Sequence, residues 1–182
     1  MKVIMLTADG YEDMELFYPY WRLVEEQISV DVASYQSGIV TGTHGYQMNV
    51  DKTIDQINPD SYDFLIIPGG SRAAAIMSQN DRAVFIAQKF FTAKKPIAAI
   101  CHGPQILIAA DILRGKRVTC DPRLAGAMRS AGAIYQDSEV VVDGNLITSR
   151  KPYDLPVFTR AIMVALRQVN WLKPTNAPNP FQ

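Results

Sequence analysis

Four stretches of the chain are apolar and short: "KVIML" (Lys2–Leu6), "DFLIIP" (Asp63–Pro68), "PIAAI" (Pro96–Ile100) and "VVVDGNLITS" (Val140–Ser149). Their length and bounding turn residues predict strands buried on both faces, the pattern of a parallel sheet covered by helices. A further strand is predicted from Ile28 to Tyr35. Asp143-Gly144 is a hairpin signal inside the last run, so an antiparallel edge strand is expected to join the sheet. Between the strands the apolar spacing changes to three and four. Met14, Phe17, Trp21 and Val24 follow it, as do Leu155, Phe158, Ile162, Leu166 and Val169. Asp154 is placed to cap the second of these helices, with Pro156 tolerated in its first turn. Alternation of the two periods predicts an α/β sandwich around a mostly parallel sheet.

"SGIVTGTHGYQMNV" (Ser37–Val50) contains three glycines and predicts an excursion or hairpin after the second strand. No internal repeat or linker divides the chain, so residues 1–172 are expected to form one domain. The remaining "KPTNAPNPFQ" carries three prolines, which exclude a helix or central strand, and is expected to be a tail.

Composition narrows the partners. Eighteen basic and eighteen acidic residues balance, so no global field favours nucleic acid or an anionic membrane. No apolar run has the length of a membrane span. The first apolar run has four residues before Thr7, shorter than a signal-peptide core, so a cytoplasmic setting is expected. Two cysteines are no disulfide framework, in keeping with a reducing compartment.

One of them carries the chemical question. In "IAAICHGPQI" (Ile97–Ile106), Cys101 follows a buried strand and precedes a helical pattern from Pro104 to Asp111. Ligands of parallel α/β sheets bind at that kind of place, beyond a strand's carboxyl end. A tight strand-to-helix turn exposes its residue as a nucleophile elbow, and a helix N-terminus favours thiolate, so a depressed thiol pKa is expected. Spacing alone leaves a reactive thiol and a packed hydrophobe equally open.

"AICHGPQIL", "IIPGG", "DGYEDMELFYPY", "TGTHGY" and "VVVDGNLITSR", in this order, resemble the ThiJ/PfpI superfamily, and its PfpI-like branch in particular. The resemblance covers Lys2 to about Trp171. It implies a flavodoxin-like three-layer sandwich with Cys101 at the elbow. It further implies a protonated glutamate beside the sulfur, matched here to Glu12, and an oxyanion hole from the backbone N–H groups of Gly70 and His102. His102 is the implied base. The acid that orients this histidine in the peptidase-like branch comes from a neighbouring subunit and falls on Ala75, which cannot accept a hydrogen bond. Asp121 stands where the branch often has tyrosine, either replacing that acid or capping a helix that starts at Pro122. Glu15 and Tyr46 match positions near the family's pocket.

Other chemistry is thinner. His44 and His102 are the chain's two histidines, so a triad with a histidine far downstream of Cys101 is excluded. Cys101, His102 and Cys120 lack the paired spacing of a structural zinc site, so no metal and no cofactor is expected. Phosphate-cradling glycine motifs are absent. Arg150 is expected to pair with a carboxylate rather than bind an anion, and Cys120 to be packed rather than resolving.

The function classes are then three. The first is a cysteine hydrolase or lyase acting on small aldehydes or glycation adducts. The second is an intracellular cysteine peptidase or amidase taking peptides. The third is a redox-sensing stress protein without turnover. The missing acid at Ala75 favours the aldehyde reading, because peptide cleavage needs a well-oriented general acid for its poor leaving group. The resemblance implies a homo-oligomer with the site near a subunit interface.

Overall fold

The computed structural model describes residues 1–172, so the expected tail lies outside the described residues. Eleven strands and six helices alternate along this part of the chain. The first half runs β1 (Lys2–Leu6), α1 (Asp13–Glu25), β2 (Ser29–Ser34), β3 (Gly38–Thr41), β4 (Gln47–Val50), β5 (Lys52–Thr53), β6 (Phe64–Ile67), α2 (Ser71–Ser78) and α3 (Asp81–Thr92). The second half is β7 (Ile97–Ile100), α4 (Gln105–Ala109), β8 (Arg117–Val118), α5 (Ala125–Ser130), β9 (Ile134–Tyr135), β10 (Val140–Asp143), β11 (Leu146–Ser149) and α6 (Leu155–Leu172).

Seven strands form the central sheet in the order β10-β11-β7-β6-β1-β2-β5, all parallel except β10. The three runs read as doubly buried strands, β1, β6 and β7, are its middle, and Val3–Leu6, Phe64–Ile67 and Ile97–Ile100 are buried throughout. Register aligns Ile4 with Asp31 on one side and Leu65 on the other, and Ile66 with Ala98. β10 and β11 make the expected antiparallel edge. Their turn residues are Gly144 and Asn145, between paired Asp143 and Leu146, and Gly144 takes the positive φ of 61° at the first turn position.

The crossover β1–α1–β2 leaves β1 in one direction and β6–α2–α3–β7 leaves β6 in the other. Right-handed crossovers of opposite direction put their helices on opposite faces. Accordingly α1 packs with α6, while α2, α3 and α4 pack together. The strand order therefore reverses between β1 and β6, and the crevice beyond their carboxyl ends is the place where such sheets bind ligands. α6 follows the expected stripe, with Leu155, Phe158, Ile162 and Leu166 buried. Asp154 ends the short turn ahead of it, and its carboxylate is held by Arg150.

α1 forms where its periodicity predicts, but with the opposite face inward. Leu16, Pro19 and Leu23 are buried with Asp13 and Glu15, whereas Trp21 is 59% and Met14 54% exposed. The expected hairpin is β3–β4, a separate two-stranded sheet. It is tied to α1 by Asp13, whose Oδ1 accepts the Tyr46 N–H and whose Oδ2 accepts the His44 N–H. Gly42 permits this approach, since a Cβ there would lie 2.3 Å from the Asp13 carboxylate.

Candidate active site

The carboxyl ends of β1, β6 and β7 lie side by side, and each chain exit contributes a piece. β7 delivers Cys101 in the left-handed region at φ 60°. Three other non-glycine residues share that region, Gln27, Lys94 and Asp111, and all three sit just past a helix end, where such a turn is ordinary. Cys101 is the one placed between a strand and a helix, a conformation that persists only when its surroundings impose it. They do so here. The Cys101 N–H donates to Ser149 O at 3.0 Å and its carbonyl accepts the Asp121 N–H at 3.0 Å. Gly103 fits close beneath, because a Cβ there would lie 2.5 Å from Ile67 O.

β6 leads into Pro68-Gly69-Gly70. Gly70 has φ 95°, and a Cβ on it would meet Gly10 O at 2.3 Å. The backbone N–H groups of Gly70 and His102 both donate toward the Cys101 sulfur. The resemblance matched these same two N–H groups to an oxyanion hole.

The carboxyl beside the sulfur is that of Glu15, not Glu12. Glu15 is fully buried, accepts the Gly69 N–H at 2.8 Å on Oε2, and lies within reach of the Cys101 thiol. A Cβ on Gly69 would fall 2.4 Å from Glu15 Oε2 and 2.7 Å from Cys101 Cβ, so this glycine keeps the two groups together. Burial pushes the Glu15 carboxyl up to about 8, with Glu12 and Asp121 adding to the rise, and the group is mostly protonated at neutral pH. Its other oxygen, Oε1, is buried without a hydrogen-bond partner among the described residues. Glu12 instead begins α1 and points toward the hairpin, with its carboxylate 3.7 Å from His44 Nδ1. The correction follows from the phase of α1: the face that turns Leu16 and Leu23 to the core carries Glu15 with them.

His102 does meet its neighbour, with Nδ1 3.2 Å from Cys101 Sγ. Burial lowers its pKa against the pull of Asp121, which favours the neutral imidazole. Of the two roles weighed for Asp121, the cap is present. Its Oδ1 accepts the Arg123 N–H at 2.9 Å and caps the turn starting at Pro122. Its Oδ2 lies 3.8 Å from Sγ and 3.9 Å from His102 Nδ1. The Arg123 guanidinium grips both oxygens and holds the carboxyl down at about 2. Asp121 and the sulfur thus face the same ring nitrogen, whereas a relay acid binds the nitrogen opposite the nucleophile. No acid faces Nε2 among the described residues. Ala75 is exposed on α2, in a hollow shared with Gln105, Ile108 and Leu124.

Against the depressed value expected, burial pushes the Cys101 thiol up, with Asp121 adding to the rise and the two N–H donors opposing it, and α4, with five residues, is too short for a strong terminal field. Cys120 is a packed thiol that donates to Asp121 O at 3.2 Å, and Arg150 pairs with Asp154 and Asp137. Tyr46 is exposed and its ring packs on Phe17, 5.9 Å between centroids. Among the described residues, two side-chain groups have the donor types of metal ligands. Cys101, His102 and Asp121 are buried, and Glu12, Asp13 and His44 lie at the hairpin, where Asp13 is already filled by hydrogen bonds.

Residues 1–165 match the DJ-1/PfpI family model. The chain belongs to the DJ-1/PfpI family. A protein named deglycase from Pyrococcus abyssi is 50% identical over 167 residues, covering 92% of this chain and all of the relative. Protein/nucleic acid deglycase 2 of Escherichia coli is 38% identical over 162 residues, 87% of this chain and 94% of that protein. Among solved structures, a two-domain protein of Anabaena variabilis with DJ-1/ThiJ/PfpI-like and ferritin-like domains superposes with a TM-score of 0.89 at 36% identity. It covers 99% of this chain, which spans 52% of it. The flavodoxin-like fold of this family is thus the fold of the chain.

Proposed function

We propose that this protein is a cysteine-dependent enzyme acting on small reactive aldehydes or on the adducts they leave on amines, as its relatives named deglycases would imply. The observation that carries the reading is the meeting of the Cys101 sulfur with the buried Glu15 carboxyl, whose raised pKa favours the protonated form. In the first step Cys101 Sγ adds to the carbonyl carbon and its proton passes to His102 Nδ1. The carbonyl π pair moves to oxygen, which takes the Glu15 proton while the N–H groups of Gly70 and His102 stabilise its developing charge. For a dicarbonyl, proton movement between the adjacent carbons then gives a thioester. Water cleaves it to the hydroxy acid and returns the thiol.

A peptidase needs a histidine poised to protonate an amine, and Asp121 shares Nδ1 with the sulfur instead of orienting the ring from the far side. A redox sensor without turnover is served by an accessible thiol, and Cys101 is buried. Homo-oligomerisation belongs to the same proposal and is supported by the outward apolar face of α1, Met14, Tyr18, Trp21 and Val24. A cytoplasmic setting is consistent with two free cysteines. Among the described residues no helix is long and apolar enough to cross a membrane.

The test is turnover of methylglyoxal and of fluorogenic peptides by the wild type and Cys101→Ser. Methylglyoxal turnover lost in Cys101→Ser, with peptide cleavage weak in both, is expected. Peptide cleavage that dominates and depends on Cys101 would replace the reading with the peptidase.

A further inference from the structure

Asp121 has no part in the carbonyl step above, yet its carboxylate is held over the sulfur. The donor atoms Cys101 Sγ, His102 Nδ1 and Asp121 Oδ2 form a triangle with edges of 3.2, 3.8 and 3.9 Å. Three ligands around a tetrahedral zinc ion, at ordinary Zn–S, Zn–N and Zn–O lengths, stand roughly 3.3–3.6 Å apart. Side-chain movements of about half an ångström would convert one arrangement into the other. The types match too: a thiolate and an imidazole select soft or borderline cations over magnesium or calcium.

The wider surroundings support the same assignment. Arg123 and the backbone of the Pro122 turn fix the Asp121 carboxylate, as outer hydrogen bonds do for ligating carboxylates. All three residues are 8% exposed, enough for a small ion to reach them. Sequence spacing had tested Cys120 as the third ligand, but that thiol is turned to Asp121 O, and the residue beside it supplies the donor.

We propose that Cys101, His102 and Asp121 bind one soft or borderline divalent cation of the Zn2+ class, and that the bound ion reversibly blocks the nucleophile. The ion replaces the thiol proton, which leaves to solvent, and a metal–sulfur bond forms with no change of oxidation state. The lone pair that would attack a carbonyl is then committed to the metal. The blocking, though not the binding, rests on reading Cys101 as the nucleophile.

The test titrates the reduced full-length protein with Zn2+ by calorimetry and with Co2+ by absorption spectroscopy. One ion per chain is expected, with tetrahedral Co2+ bands and a thiolate-to-cobalt charge-transfer band. Cys101→Ser should abolish that band. Asp121→Asn retains the helix-starting cap and should weaken Zn2+ at least tenfold, while Cys120→Ser and His44→Ala should leave it unchanged. Octahedral Co2+ without the sulfur band, or affinity that follows His44 rather than Asp121, would overturn the site. Zn2+ should inhibit methylglyoxal turnover at the concentration that fills the site, with recovery on chelation. Turnover that persists with the site filled overturns the blocking; a filled site in a protein without Cys101-dependent turnover instead sinks the functional reading and leaves the site standing.

Discussion

At the scale of single residues, the site rests on close approaches that permit few substitutions. Gly69 is the sharpest. An alanine there brings its Cβ within 2.7 Å of both Glu15 Oε2 and Cys101 Cβ, so one of them must move. Gly69→Ala is expected to destabilise the fold by about 1–3 kcal/mol, as overpacking does. It should also lower turnover on methylglyoxal at least tenfold, because the carboxyl and sulfur are displaced from each other. A thermal melt and initial rates check both, and a variant with wild-type rate would show that this contact is immaterial to chemistry. Residue identity was readable in part. "CHGP" after an apolar strand pointed to Cys101, and "PGG" to the backbone donors. "YEDMEL" holds two glutamates three positions apart, and Glu12 was the wrong one because nothing in the letters reports which faces the sulfur.

The element that decides this is α1. Its apolar residues surround most of its circumference, so a stripe can be drawn on either side, and Met14, Phe17, Trp21 and Val24 trace the outer one. The inner face carries Asp13 and Glu15, two acids that local chemistry retains there because one anchors the hairpin and the other the Gly69 loop. A helix apolar on both sides is buried on both sides. Trp21→Glu is therefore expected to shift sedimentation from oligomer toward monomer with little change in the far-ultraviolet spectrum. An unchanged sedimentation coefficient would remove α1 from the interface. Asp13→Ala probes the inner face: loss of two charge-assisted hydrogen bonds should cost about 3 kcal/mol. The amides of His44 and Tyr46 should lose most of their protection against hydrogen exchange, and retained protection would show the hairpin is held by other contacts.

At the scale of the whole molecule, the strand order dictates where chemistry can sit. Buried apolar runs, their turn residues and the alternation with helices make the parallel sheet and its antiparallel edge legible in the sequence. Less legible were contacts between distant segments, such as Asp121 reaching Cys101 across 20 positions, since periodicity carries no information about them. Stability has a distant component too. Asp31, paired across the sheet with Lys2, Lys52 and Tyr62, has its carboxyl held below the ordinary value of 3.8 despite the opposing effect of burial. A depressed folded pKa gives stability that is full above 3.8 and is lost as pH falls through the lower folded value. Asp31→Asn should therefore lower the melting temperature at neutral pH and flatten its acid dependence. A variant that keeps the wild-type acid profile would remove this network from the account.

The central claim is that the Glu15 carboxyl, not Glu12, exchanges the proton when Cys101 adds to a carbonyl. Its most direct test is the initial rate of methylglyoxal turnover in Glu15→Gln and Glu12→Gln, both shown to match the wild type in folding and assembly state. Glu15→Gln keeps a hydrogen-bonding side chain but cannot transfer the proton, so its rate should fall by about 10²-fold or more. Glu12→Gln should remain within about threefold of wild type, because its side chain meets His44 rather than the sulfur. A collapse in Glu12→Gln with near-normal turnover in Glu15→Gln would contradict the account.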